Sequence, residues 1–306
     1  MKFIVTVDTE ADNQWAGTGS AALQNLDGLA RFQSFMRERG IRPTYLASFE
    51  TLAHPMLKEL ARAHKDGDAE VGGHLHPWTT PPLDEGDRIQ RFPLELSDDV
   101  LEAKLAMLTT ALTGLLGEPP VSFRAGRWGA DNRVLQAIAR QGYRIDSSVT
   151  PFIRWRDVIR TTSIHTAIPD FREATARPAL VPGTDLLEVP MSVIATGVVP
   201  SQFLAAHSQG HGMASRIARA LARPRWCRIF PETRESDLEA VYHAAVGQRL
   251  PVLVFMIHSS ELVAGMSPYA KDEQAVERIF ELLDAFLSFL NREGVEPILM
   301  REALLP

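Results

Sequence analysis

Cysteine is almost missing. Cys227 stands alone in 306 residues, which excludes an intrachain disulfide and a thiolate-rich zinc site. Long apolar runs are missing too. No stretch approaches the ~20 residues needed to cross a bilayer. The opening Met1-Lys2-Phe3-Ile4-Val5-Thr6-Val7-Asp8 is too short an apolar run for a signal peptide. The expectation is a cytoplasmic chain with no membrane span. Nor is there a basic excess: the formal net charge is -6, and Lys and Arg are dispersed, which argues against a nucleic-acid partner. One local cluster, Arg216, Arg219, Arg223, Arg225 and Arg228, reads as a solvated helix face and the loop after it. Repeats, low-complexity tracts and long linkers are absent as well. The chain therefore reads as one domain, 1–306, with an irregular insertion at about 150–183. Nothing specifies an oligomeric state.

What is present is alternation. Short apolar, β-branched runs at 2–8, 43–49, 69–74, 121–124, 143–146, 186–189, 251–258 and 297–300 read as strands. Helical periodicity fills 23–39, 56–65, 97–116, 131–140, 201–222, 236–246 and 272–293. Ser97, Asp131 and Ser236 stand at helix starts, and Gly40 and Gly117 at helix ends. Strands alternating with helices imply α/β architecture with a mostly parallel sheet. The unit count predicts an irregular (β/α)7-type barrel, a distorted relative of the eightfold barrel. Asp8, His74, Arg124, Asp146 and His258 all fall at or just past the C-terminal ends of these strands. In parallel α/β folds that edge carries the active site.

Two histidines, His74 and His76, close the run Glu70-Val71-Gly72-Gly73-His74-Leu75-His76-Pro77-Trp78. Alternate strand residues share a face, so both rings would reach toward one point, and neutral imidazole is a good ligand for a divalent metal. Gly72-Gly73 lets the backbone approach closely just before them. Asp8 and Glu10 share a face in the same way. A carboxylate with two histidines makes a three-ligand set with open positions.

These segments resemble, in order, the five motifs of the polysaccharide deacetylase superfamily, the NodB-homology or carbohydrate esterase family 4 enzymes. Thr6-Val7-Asp8-Thr9-Glu10 is similar to the first motif in the Asp-x-Glu form of divergent members. The resemblance implies that Asp8 is the catalytic base and Glu10 a metal ligand; the reverse assignment, or Asp12 as a participant, stays open. Glu70-Val71-Gly72-Gly73-His74 looks like the second motif. The family's second histidine lies four residues on, where this chain has Trp78, so His76 takes that role in a His-x-His-Pro-Trp form. Phe123-Arg124-Ala125-Gly126-Arg127-Trp128-Gly129 resembles the third motif, with Arg124 orienting the base. Asp146-Ser147-Ser148 and Ile257-His258-Ser259-Ser260-Glu261 resemble the fourth and fifth. They imply His258 as general acid, held in place by Asp146. The fold implied is again the distorted barrel.

The activity implied is metal-dependent removal of an N-acyl group, N-acetyl above all, from an amino sugar or polysaccharide precursor in bacterial surface-polysaccharide biosynthesis. The cofactor implied is a divalent ion, Zn2+ first, with Co2+, Ni2+, Mn2+ and Fe2+ as other choices. Trp78, Trp128, Arg127 and Tyr269 are the candidate substrate contacts; each also suits a plain structural role. Two other readings stand beside this one. One is an amidohydrolase acting on a small cyclic amide or ureide, as in allantoinase-like members. The other is a catalytically inactive carbohydrate-binding relative. The pair His207 and His211, at helical spacing, is a further metal candidate, weakened by Gly210 and Gly212.

Overall fold

β1 (Lys2–Thr9) is buried along all but its first residue, as a strand covered on both faces must be. The computed structural model describes residues 1–12, 22–83, 91–158, 166–197, 221 and 223–304. In chain order the further strands are β2 (Thr44–Ala47), β3 (Glu70–Leu75), β4 (Ser122–Ala125), β5 (Ile145–Asp146), β6 (Ala179–Leu180), β7 (Leu187–Glu188), β8 (Val193–Ala195), β9 (Pro224–Trp226), β10 (Val252–His258) and β11 (Glu296–Pro297). The helices are α1 (Gly28–Glu38), α2 (Pro55–Asp66), α3 (Asp98–Leu116), α4 (Asn132–Arg140), the short α5 (Trp155–Val158), α6 (Glu235–Gly247) and α7 (Glu273–Arg292). The predicted helix at 201–222, Arg216, Arg219 and the His207/His211 pair lie outside the described residues.

The main sheet runs β10-β1-β2-β3-β4-β5-β7-β6, with β11 also paired to β1. Every pairing is parallel except β6 with β7. The sheet curls into most of a barrel, and side-chain and loop hydrogen bonds bridge the remaining gap. After β7 the chain crosses toward β10: Met191 N bonds Val149 O at 3.0 Å, and Val254 N donates to Ser192 Oγ at 2.8 Å. The antiparallel β8–β9 pair adds Met256 N to Cys227 O at 3.3 Å. This seam passes through a stretch that carries almost no periodicity, so it was not expected from sequence.

The helices pack outside, as their apolar stripes require. On α7, Phe280, Leu283, Phe286, Leu287 and Leu290 face inward, and Phe286 meets Phe3 of β1 edge-on at 5.9 Å. Asp272 and Asp131 cap their helices through side-chain bonds to Ala275 N and Val134 N. Ser97 occupies the cap position of α3, but its hydroxyl makes no capping bond. The strand predicted at 297–300 is shorter than expected. Ile298 N bonds Phe3 O, Leu299 N then turns onto the Glu302 carboxylate at 2.9 Å, and a 3-10 turn follows over Met300–Leu304. No helix among the described residues is long and apolar enough to cross a membrane.

Gly72 and Gly73 earn their place on β3. A Cβ on Gly72 would collide with the Ser122 carbonyl, and one on Gly73 would lie 2.6 Å from the Tyr143 hydroxyl. Only glycine lets β3 run this close to its neighbours.

Candidate active site

Strand register assembles the site. Asp8 pairs with His258, and His74 with Arg124. All four stand at the C-terminal ends of β1, β10, β3 and β4, and all are buried.

Glu10, His74 and His76 come together just above those ends. Each offers one ligand atom, and the three lie within 4.8 Å of one another. The Glu10 carboxylate oxygen Oε2 is 2.7 Å from His76 Nε2 and 3.4 Å from His74 Nε2. His74 Nδ1 faces the Arg124 carbonyl at 3.0 Å. A carbonyl only accepts, so Nδ1 carries a hydrogen, and Nε2 points at the carboxylate. His76 is oriented differently. Its Nδ1 has no hydrogen-bond partner among the described residues. Its ring is instead pressed by Gly126, where a Cβ would lie 2.8 Å from Nδ1. The backbone of Glu10 is fixed by two residues that sequence reading missed. Asn25 Nδ2 donates to Glu10 O at 2.7 Å, and Ser259 Oγ donates to the same carbonyl at 3.1 Å.

Two imidazole nitrogens facing one buried carboxylate form a candidate cation site. Burial pushes the Glu10 carboxyl up, but hydrogen bonds from His74 and His76 and the His258 charge outweigh it, holding Glu10 well below the usual carboxylate range. Burial holds His76 below the ordinary histidine value. For His74 burial is outweighed by Asp8 and Glu10, which raise it. The donor set, one carboxylate and two imidazoles with open positions, fits a divalent metal of the zinc type.

Asp8 is held separately. Arg124 Nη1 donates to Asp8 Oδ1 at 2.5 Å and to Thr6 Oγ1 at 3.0 Å, while Nε and Nη2 bond Ser147 O and Oγ at 2.9 and 3.0 Å. Burial pushes Asp8 up, yet Arg124, His74 and His258 together hold it below its ordinary value. Its other oxygen, Oδ2, faces His258 Nε2 at 3.9 Å, and that nitrogen is also 3.8 Å from Glu10 Oε1.

The expected Asp146–His258 contact is replaced by another. Asp146 Oδ2 and Oδ1 accept from Ser148 N and Oγ at 2.7 and 2.8 Å, and Asp146 lies opposite Glu188 across β5 and β7. His258 Nδ1 sits 2.7 Å from Glu261 Oε1 instead, with Arg228 Nη2 on the same oxygen at 2.5 Å. Partner choice here is local: a tight turn after β10 returns Glu261 to the ring, and Ser148 satisfies Asp146.

Asp146 and Glu188 are adjacent buried carboxyls. Burial raises both, and the Asp146 charge pushes Glu188 well above the usual range. Each therefore holds its proton to a higher pH than a free carboxyl does. A carboxyl that binds its proton more tightly when folded contributes stability below its unfolded pKa, and that contribution is lost as pH rises through the folded value. Glu188→Gln removes this loss. The variant is expected to gain stability over the wild type at about pH 8 and to gain little at about pH 5, read from urea denaturation at the two values. Equal gains at both would rule out the raised Glu188 value.

The candidate substrate contacts fall around the rim. Trp78 is half-buried against the His76 ring, centroids 4.3 Å apart. Trp128 is buried and built into the wall. It lies 5.0 Å from the Arg124 guanidinium carbon and stacks nearly parallel on Trp155 at 6.3 Å. Arg127, at φ 53, places its guanidinium carbon 5.0 Å from the Phe92 ring centre. Burial lowers its pKa, against the pull of Glu95 and Glu10. Tyr269 is half-buried, edge-on to Phe230 at 5.7 Å and 5.0 Å from Arg228. Lys104 was not anticipated. Fully buried on α3, it donates to the carbonyls of Pro77, Thr80 and Pro82 at 2.8, 2.8 and 2.6 Å, pinning the loop that carries Trp78.

No family model matches the sequence, and no curated protein does. Solved structures do match, and they define a class by fold. A protein from Mycobacterium smegmatis assigned as a polysaccharide deacetylase is 14% identical, with TM-score 0.52, over 97% of this chain and 93% of that one. Puue allantoinase is also 14% identical, with TM-score 0.55, over 100% of this chain and 90% of that one. A 4-alpha-glucanotransferase from Thermococcus litoralis has TM-score 0.58 at 12% identity, but the match spans only 40% of its length. The chain thus has the mostly parallel, distorted-barrel fold found in these proteins.

Proposed function

We propose that the chain is a metal-dependent hydrolase that removes an N-acyl group, N-acetyl above all, from an amino sugar. The observation that carries this is a single arrangement. A carboxylate clamped by a buried arginine, Asp8, and a ring nitrogen, His258 Nε2, face each other across a Glu10–His74–His76 ligand set. That arrangement stands on the C-terminal edge of a fold shared with a polysaccharide deacetylase.

Glu10 Oε2, His74 Nε2 and His76 Nε2 would hold the ion, Zn2+ first. When bound, the ion supplies Lewis acidity toward the amide carbonyl and makes water easier to deprotonate. The chain's own groups do the proton work. Arg124 occupies Asp8 Oδ1, leaving Oδ2 to take the proton of the attacking water. The water oxygen bonds to the acyl carbon, the carbon–nitrogen bond breaks, and His258 Nε2 gives a proton to the departing amine. The products are a carboxylate and an amine. Trp78 and Tyr269, half-buried on the rim, offer ring faces to a sugar. Arg127 suits an anionic group on the same substrate, in keeping with a nucleotide- or lipid-linked precursor in the cytoplasm during bacterial surface-polysaccharide assembly. The chain 1–306 would act as one catalytic unit.

A second reading, hydrolysis of a small cyclic ureide, is favoured by the likeness to the allantoinase fold. One assay separates them. Purified protein loaded with Zn2+ or Co2+ is expected to release acetate from N-acetylglucosamine oligomers and not to open allantoin. Allantoin opening without acetate release overturns the sugar reading. Neither activity, with no bound metal after loading, favours an inactive relative.

A further inference from the structure

The resemblance assigns the support of the late histidine to Asp146, and the structure gives it to a different pair. We infer that Glu261, fixed by Arg228, is the positioning residue of His258. This rests on the proposed reading that His258 takes part in hydrolysis, but its test does not require turnover.

The local sequence explains how Glu261 gets there. β10 ends at His258, and a 3-10 turn over Ser259–Leu262 follows at once. That turn carries Glu261 back under the ring, where Oε1 accepts from the His258 backbone N at 3.3 Å and meets Nδ1 at 2.7 Å. An ionised carboxylate only accepts, and Arg228 Nη2 makes its shorter contact with that same carboxylate oxygen, so we assign the Nδ1 hydrogen to the Glu261 contact. The ring plane is then set, and Nε2, which carries the second proton when the imidazolium acts as an acid, faces Asp8 Oδ2 and Glu10 Oε1. A carboxylate behind an imidazole does this in hydrolases on unrelated folds.

Arg228 keeps that carboxylate ionised and in place. It arrives on the seam, next to Cys227, whose carbonyl accepts from Met256 N of β10. Its Nη2 donates to Glu261 Oε1 at 2.5 Å and lies 2.9 Å from His258 Nδ1. Its guanidinium carbon is 5.0 Å from the ring centres of both Phe230 and Tyr269. A buried guanidinium needs a carboxylate partner, and Glu261 is that partner, with only 6% and 1% of the two side chains exposed. Burial pushes Glu261 up, but Arg228 and His258 more than offset it and hold it below its ordinary value. Asp146 instead turns its two oxygens toward Ser148 N and Oγ.

The test is nitrogen-15 NMR of the full chain labelled at histidine, with His258→Gln used to assign the His258 signals. Wild type is expected to show a protonated Nδ1 with a strongly deshielded ring hydrogen. Glu261→Gln, which keeps shape but removes the charge, should abolish or sharply shift that signal. Asp146→Asn should leave it in place. The proposal is overturned if the wild-type Nδ1 carries no hydrogen, if Glu261→Gln leaves the signal unmoved, or if Asp146→Asn removes it. Should Glu261→Gln fail to fold by thermal melting, the wild-type and Asp146→Asn spectra still decide. Failure to release acetate would count against the hydrolase and leave this ring-nitrogen result standing.

Discussion

Arg124→Met is expected to cost about 3–5 kcal/mol of stability, the usual penalty for stripping one partner from a buried ion pair. Arg124 holds Asp8 below its ordinary value. A carboxyl lowered on folding contributes stability that is present above its unfolded pKa and lost as pH falls through the folded value. Without the guanidinium, the largest of the charges that lower Asp8 is gone and its pKa moves up. The variant should therefore lose more stability relative to wild type at about pH 8 than at about pH 5, measured by urea denaturation. Turnover should fall by at least ~100-fold, because Asp8 no longer stands ready as a base. The double variant Asp8→Asn with Arg124→Met should recover part of the stability, since no lone buried charge remains, while staying inactive. An Arg124→Met protein as stable as wild type at both pH values would contradict the whole account of the Asp8 clamp.

His76→Ala is expected to weaken Zn2+ and Co2+ binding by more than ~100-fold. Loss of an outer partner alone typically costs about 10–100-fold, and a ligand is worth more. Calorimetric titration of the metal-free protein measures it directly. His74→Ala should behave alike, whereas Trp78→Ala should leave affinity within a few-fold. If Trp78→Ala proved the more damaging change, the ligand set drawn from Glu10, His74 and His76 would be wrong.

The parts of this molecule that were legible in sequence are those whose cause is local. β1 and β10 announce themselves as β-branched runs. Asp131 is a helix cap by type and position, whereas Ser236 falls inside its helix and Arg234 takes the cap position; the Gly72-Gly73 pair marks close approach before any neighbour is known. Asp8, Glu10, His74, His76, Arg124 and His258 could be placed because strand ends position them. Residues that act through partners distant in sequence were not legible. Arg228 looked like one more cation in a basic loop, and only the seam brings it to β10. Asp146 carries the right residue type at the right strand end, yet Ser148 and Glu188 claim it. Ile298, Leu299 and Met300 have strand composition, but the Glu302 carboxylate turns the chain early.

Lys104 gives an outer helix mechanical authority over the cleft. On sequence it is a lysine in the middle of α3, where a solvated amine is the ordinary expectation. In the fold its ammonium clasps the carbonyls of Pro77, Thr80 and Pro82, on either side of the bend that follows Trp78. Lifting that wall would break three charge-assisted hydrogen bonds at once, a cost above that of breaking one neutral hydrogen bond. The wall of the cleft beside His76 is thus tied at three points to a helix that itself touches no substrate.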